Sequence, residues 1–286
     1  MNRELIAKGS TGDIYKVCDG SRVVAMKVLD ARRANRLLTS VDVIFKREVA
    51  ALRAFSHRNI ISFVSSEQLS PSEYTITTNY CSGGSLFHLL HSSKDVPVTT
   101  KQKKKIFSDI LNALMCLQAR PVPIIHGDIK SLNILLMDTL QSAESVPWVK
   151  LCDFGSSKFS GEPPTFGTLT VGTIQWMPPE VLLGEDFGTP VDIYSFGMVM
   201  FELCFREIPF FGYEENIVSA KIIKGERPQI RQQQLDRDAL SGMAEVMLSC
   251  WSENARNRPD INQLSSLLNN VFILSVLSPQ SRMSIP

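Results

Sequence analysis

The stretch His126-Gly127-Asp128-Ile129-Lys130-Ser131-Leu132-Asn133 brings a carboxylate, an ammonium and a carboxamide into one short loop. Asp128 can accept a proton, Lys130 can hold an anion, and Asn133 can offer a metal an oxygen. Together they are parts of a phosphoryl-transfer site. Further along comes Asp153-Phe154-Gly155, a second carboxylate beside a conformationally free glycine. Such a carboxylate can complete a Mg²⁺ site, because that ion is commonly held by one or two oxygen side chains plus substrate phosphates.

These groups need elements to carry them. Residues 133–137 and 148–152 read as a strand pair joined by a polar insert, which would set Asn133 and Asp153 side by side at the strand ends. Upstream, Ala7-Lys8-Gly9-Ser10-Thr11-Gly12-Asp13-Ile14 lies between alternating runs that suit a hairpin. Its turn can present backbone N–H groups to phosphates, and it can equally be a glycine-rich turn with no ligand. Val23-Val24-Ala25-Met26-Lys27-Val28-Leu29 is an apolar strand carrying one lysine. Residues 42–55 read as a helix with Phe45, Val49, Leu52 and Phe55 on one face and Glu48 at its edge. Residues 74–80 form a β-rich run ending at Cys81-Ser82-Gly83-Gly84, residues 86–90 a short helix, and residues 99–118 a longer helix with Ile106, Ile110, Leu114 and Leu117 along one stripe. His88 and His91 share a helical face, but no further zinc ligands are marked, so both read as surface histidines, and the basic cluster 101–105 as a solvated helix start. Residues 153–180, rich in Gly, Pro and Thr, fit an irregular segment, whereas the helix opening at Asp192 is apolar on all sides and belongs in a core.

In this order the motifs resemble the eukaryotic protein-kinase family over nearly the whole chain. The matches are the glycine-rich loop, Lys27, Glu48, the catalytic loop with Asp128 and Asn133, Asp153-Phe154-Gly155, Met177-Pro178-Pro179-Glu180, Asp192 and Arg258. The resemblance implies an α+β, bilobal protein-kinase fold. A small β-rich N-lobe with one helix would span about 1–80, a larger mainly helical C-lobe about 81–274, and residues 275–286 would be a disordered tail. It further implies ATP contacts from Ala7, Lys8, Gly9, Ser10, Thr11, Gly12, Ile14, Ala25, Lys27 and Glu48, from Thr78 as gatekeeper with Asn79 and Cys81 at the hinge, and from Leu135. Asn133 and Asp153 would hold Mg²⁺, Asp128 would be the base, and Lys130 would reach the transferred phosphoryl. By the same resemblance Asp192 supports the backbone of the catalytic loop and Arg258 pairs with Glu180. Lys130, two places after the base, resembles the serine/threonine kinases. Gly83-Gly84-Ser85-Leu86, Ile193-Tyr194-Ser195-Phe196-Gly197 and Cys250-Trp251 resemble their tyrosine-kinase-like branch.

The chain departs from the family pattern at Ala7, at Pro178 and at Gly127, where an arginine is usual. That arginine pairs with a phosphate on the activation segment, so its loss implies either activity without phosphorylation at Ser160, Thr165, Thr168 or Thr170, or switching by a partner. Lys158 is a candidate substitute for the arginine. Cys152, next to Asp153, reads either as a thiolate favoured by Lys27 or as an inert buried thiol.

The 286-residue composition, 44% apolar and 21% charged, can bury a large core, and a net charge of +1 gives no pull toward nucleic acid or acidic membranes. Six scattered cysteines read as free thiols of a reducing, cytoplasmic environment, and no apolar run is long enough for membrane insertion. A protein substrate and a regulatory protein are the expected partners. The alternatives are a pseudokinase that binds without transfer and a small-molecule phosphotransferase.

Overall fold

The computed structural model describes residues 3–9, 11–20, 22–36, 40–70, 72–93, 95–162 and 174–277. Ser10, Thr165, Thr168, Thr170 and most of the expected tail lie outside the described residues. β1 (Arg3–Lys8), β2 (Gly12–Asp19) and β3 (Arg22–Asp30) are followed by α1 (Ala31–Arg36), α2 (Val41–Arg53), β4 (Phe63–Ser70) and β5 (Glu73–Asn79). The strands form one antiparallel sheet in the order β1-β2-β3-β5-β4. α1 corrects the expectation of a single helix in this part. Ala31-Arg32-Arg33-Ala34 has good helix formers, and Asp30 starts the helix by accepting from the Arg32 N–H at 2.8 Å.

α2 begins at Ser40, whose hydroxyl accepts from the Val43 N–H. It buries Val41, Ile44, Glu48, Val49, Ala51 and Leu52. The buried stripe is thus rotated from the expected one: Glu48 lies within it, and Phe55 falls beyond the helix end. Helical spacing admits both stripes, and the Phe45 ring, only partly buried, leans on Tyr74 at 4.8 Å between centroids.

The second half is mainly helical. The expected helix at 86–90 forms, with Leu86 and Phe87 α-helical and a π-helical turn over His88–Ser92. The Arg206 guanidinium holds its carbonyl end by donating to Leu89, Leu90, Ser93 and Val96. α3 (Thr100–Gln118) opens on a capping box between Thr99 and Gln102 and buries Ile106, Ile110, Leu114 and Leu117 as expected. Lys103 is not solvated, since it is buried against Asp238 at 2.6 Å. β6 (Ile124–Ile125) pairs with β9 (Lys158–Phe159), and β7 (Ile134–Leu136) with β8 (Val149–Leu151), both antiparallel. Then come α4 (Pro179–Leu182), α5 (Pro190–Phe205), α6 (Glu215–Ile223), α7 (Gln232–Arg237), α8 (Met243–Cys250) and α9 (Ile261–Leu277). α9 runs to Leu277, two residues past the start of the stretch expected to be irregular. α5 is the centre of this half, with every residue from Val191 to Phe205 buried. Among the described residues no helix is long and apolar enough to cross a membrane.

Candidate active site

Lys27 on β3 is buried, and its ammonium meets Glu48 of α2 at 2.9 and 3.0 Å and Asp153 at 2.8 Å. Burial alone would lower its pKa, but Asp153 and Glu48 outweigh that and hold it well above the ordinary lysine range. Burial likewise works to raise the Asp153 carboxyl, and Lys27, with Lys130 and His126 beyond it, holds it far below the carboxylate range. Asp153 has φ +63, a left-handed backbone that costs a non-glycine residue energy and here turns its carboxylate toward Lys27. Next to it Phe154 is fully buried, edge-on to the His126 ring at 4.8 Å.

The catalytic loop is fixed from below. Asp192, at the start of α5, accepts the backbone N–H groups of His126 at 2.8 Å and Gly127 at 2.9 Å. Burial pushes His126 down to about 4, so its ring is neutral. With Nε2 donating to the Cys152 carbonyl at 3.0 Å, Nδ1 is left to accept from the Asp128 N–H. The imidazole thereby ties the loop bearing Asp128 to the strand end bearing Asp153. Asp128 lies 2.7 Å from Lys130, and burial pushes its carboxyl up to about 6 despite that cation. The Asn133 Nδ2 donates to both the carbonyl and Oδ2 of Asp128, at 2.8 and 2.9 Å.

This use of Nδ2 leaves Asn133 Oδ1 as the acceptor, and Asp153 Oδ2 has no protein donor among the described residues. An amide oxygen and a carboxylate oxygen fit Mg²⁺. Among the described residues no three His, Cys, Asp or Glu side chains group into a metal site.

Between the sheet and the second half is a cleft lined by Ile14, Ala25, Lys27, Glu48, Thr78, Leu135 and Asp153. All were expected from the sequence. Cys152 lines it too, as its place directly before Asp153 leads one to expect, whereas Leu52, Ile61 and Ile76 line it and were missed. Strand alternation could have found Ile76, two residues before Thr78 on the same face. Asn79 ends β5 with its side chain outward, and the backbone N–H and C=O of Cys81 have no protein partner among the described residues. Ala7 and Lys8 end β1, Gly9 and Thr11 lie in the turn and Gly12 opens β2, and none of the five lines the cleft.

Glu202 was also missed, although one carboxylate in an apolar helix requires partners. It is fully buried on α5 and receives the Trp176 indole N–H at 2.6 Å and the Ser131 hydroxyl at 2.7 Å, with His91 Nε2 at 2.9 Å. His91 is therefore not a surface histidine; His88 is. Nearby, Arg258 holds Glu180 bidentately at 2.6 and 2.8 Å. Lys158 is buried. Its ammonium lies 3.8 Å from the Phe187 ring centroid and 3.7 Å from Asp186, and it donates to the Glu162 carbonyl.

Residues 2–271 match the protein kinase domain. The chain belongs to the protein kinase family. The kinase relatives include the serine/threonine-protein kinase CTR1 of Arabidopsis thaliana, 29% identical over 98% of this chain and 32% of the relative. The serine/threonine/tyrosine-protein kinase HT1 of the same plant is 30% identical over 92% of this chain and 64% of the relative. The mitogen-activated protein kinase kinase kinase dlk-1 of Caenorhabditis elegans is 31% identical over 91% and 25%. This kinase chain thus spans less than two thirds of the length of these curated relatives.

Proposed function

We propose that the chain is an ATP- and Mg²⁺-dependent protein serine/threonine kinase acting on protein substrates, under control of a regulatory partner. The observation that carries the reading is the meeting of Lys27, Glu48 and Asp153 at one wall of the cleft, with Asp128, Lys130 and Asn133 bonded together on the loop that His126 ties to the strand end bearing Asp153. Asp128 would orient the acceptor hydroxyl and take its proton, a task suited to a carboxyl pushed up toward neutrality yet still ionised. Lys27, pre-oriented by Glu48, would hold the α- and β-phosphates, and Lys130 the transferred group. Asn133 and Asp153 would hold Mg²⁺, which when bound neutralises charge on the phosphate oxygens. The unpartnered backbone of Cys81 suits the adenine edge, with Asn79 and the gatekeeper Thr78 beside it. All six cysteines are free thiols, which supports a reducing compartment such as the cytoplasm.

The test separates binding from transfer. Asp153→Asn is expected to lose Mg²⁺-dependent ATP binding, whereas Asp128→Asn keeps binding and loses transfer by on the order of 10²-fold or more. The parent is expected to yield phosphoserine or phosphothreonine. Turnover in both variants equal to the parent overturns the assignment, ATP binding by the parent without transfer makes the protein a pseudokinase, and predominant phosphotyrosine overturns the residue class.

A further inference from the structure

α1, the helix that sequence periodicity did not reveal, holds the glycine-rich hairpin. Its Arg33 donates through one guanidinium nitrogen to the Gly9 carbonyl at 3.0 Å and to Asp13 at 2.8 Å, and its Nε lies 3.8 Å from Asp30. α1 is itself seated, since Ala34 is fully buried. A second tie runs from the same junction: the Asp30 N–H donates to the Thr11 carbonyl at 2.9 Å. Within the turn, the Gly12 carbonyl accepts the Gly9 N–H at 2.8 Å. The carbonyls of Gly9, Thr11 and Gly12 thus all have protein donors.

That arrangement matters for a loop that receives phosphates. Backbone N–H groups attract an anion, whereas a carbonyl oxygen left facing it repels. Ile14 lines the cleft, so by strand alternation its neighbour Asp13 faces the opposite side. Arg33 therefore grips the hairpin from outside, drawing the Gly9 carbonyl away from the cleft while neutralising the one carboxylate of the loop.

We propose that Arg33 is a positioning residue for nucleotide binding, which holds the hairpin tip through Gly9 and Asp13 in the arrangement that receives the ATP phosphates. The inference rests on the kinase reading above. It gives α1 a role: the helix links the phosphate loop to β3, which carries Lys27, and to α2, which carries Glu48.

The test compares the parent with Arg33→Ala, Arg33→Lys, Asp13→Asn and the double variant Arg33→Ala/Asp13→Asn. Amide hydrogen exchange of nucleotide-free protein reports the hairpin directly, and equilibrium binding of ATP with Mg²⁺ reports its use. Arg33→Ala is expected to speed exchange at Lys8, Gly9, Gly12 and Asp13 alone and to weaken ATP binding about 3–10-fold, with KM for ATP rising and KM for a peptide substrate unmoved. Arg33→Lys restores part of the affinity, and the double variant is no weaker than Arg33→Ala, because Asp13 acts only through Arg33. Parent-like exchange and affinity in Arg33→Ala overturn the inference, as do faster exchange across the whole sheet or additive losses in the double variant. If the parent binds no ATP, the kinase reading fails while the exchange comparison still decides whether Arg33 holds the loop.

Discussion

A thiol beside an ammonium gains reactivity only from charge that is not already neutralised. Lys27 stands near Cys152, but its charge is taken by Glu48 and Asp153. Burial, with the Asp153 carboxylate beside it, therefore raises the Cys152 thiol well above its ordinary range and outweighs what Lys27 lowers. Of the two sequence readings this direction favours the inert thiol, with Cys152 half-buried at the cleft wall rather than sealed in the core. Alkylation at pH 8 is expected to modify the exposed Cys18 and leave Cys152 unlabelled with or without ATP, its rate climbing only as the pH rises past the usual thiol range; ATP-protected labelling of Cys152 at pH 8 would contradict this. Gly127 poses a second question at this scale. Its φ is +76, and an added Cβ would lie 3.0 Å from the Ser156 carbonyl oxygen, so Gly127→Ala is expected to cost about 1–2 kcal/mol in chemical denaturation. With no side chain at 127 and Lys158 committed to Asp186, Phe187 and Glu162, neither cation considered from the sequence is free to read a phosphate. Phosphate-free protein, and the variant with Ala at Ser160, Thr165, Thr168 and Thr170, should therefore keep the turnover of the untreated kinase. A large loss in both would mean another cation reads the phosphate.

At the scale of elements, α5 shows what packing demands of single positions. Gly197 faces α8, where an added Cβ would come within 2.9 Å of the Cys250 Cβ. Gly197→Ala is expected to cost about 1–3 kcal/mol by thermal or urea unfolding, and Cys250→Ala, which keeps that Cβ, should not relieve it. Full relief by Cys250→Ala would show that the strain lies elsewhere. Elements were legible where a period or a cap was strong. The stripe of α3 and the apolar girth of α5 both survive into the structure, because each buries a continuous surface. α1 was not legible, since a helix of so few residues shows no period. The rotation of α2 was hidden for a different reason. Glu48 counts as polar in any pattern, and only Lys27, which arrives from a distant strand, makes its burial tolerable. His91 was misjudged for the same cause, its partner Glu202 lying on another helix.

For the whole molecule, three carboxylates join parts far apart in sequence: Glu48 to β3, Asp192 to the catalytic loop, and Glu180 to Arg258. Arg258 is buried and Glu180 nearly so. Arg258→Ala would leave a buried carboxylate without its cation, and the expected loss is about 3–5 kcal/mol, read as a lowered Tm together with reduced turnover. A Tm within a degree or so of the parent would show the pair to be dispensable. The order of these landmarks along the chain was legible from the sequence, and with it most of the site. The distances that make them one site were not, because each depends on a backbone turn, such as the left-handed Asp153, that no residue type announces. The cluster at Glu202 carries a consequence for descent. Its Trp176, Ser131 and His91 donors come from separate segments, yet each has a buried polar group satisfied by the same carboxylate. A lineage that lost the glutamate alone would strand three donors, and one that lost the tryptophan alone would weaken the hold on the carboxylate. Positions 91, 131, 176 and 202 should accordingly be inherited, and replaced, as a set.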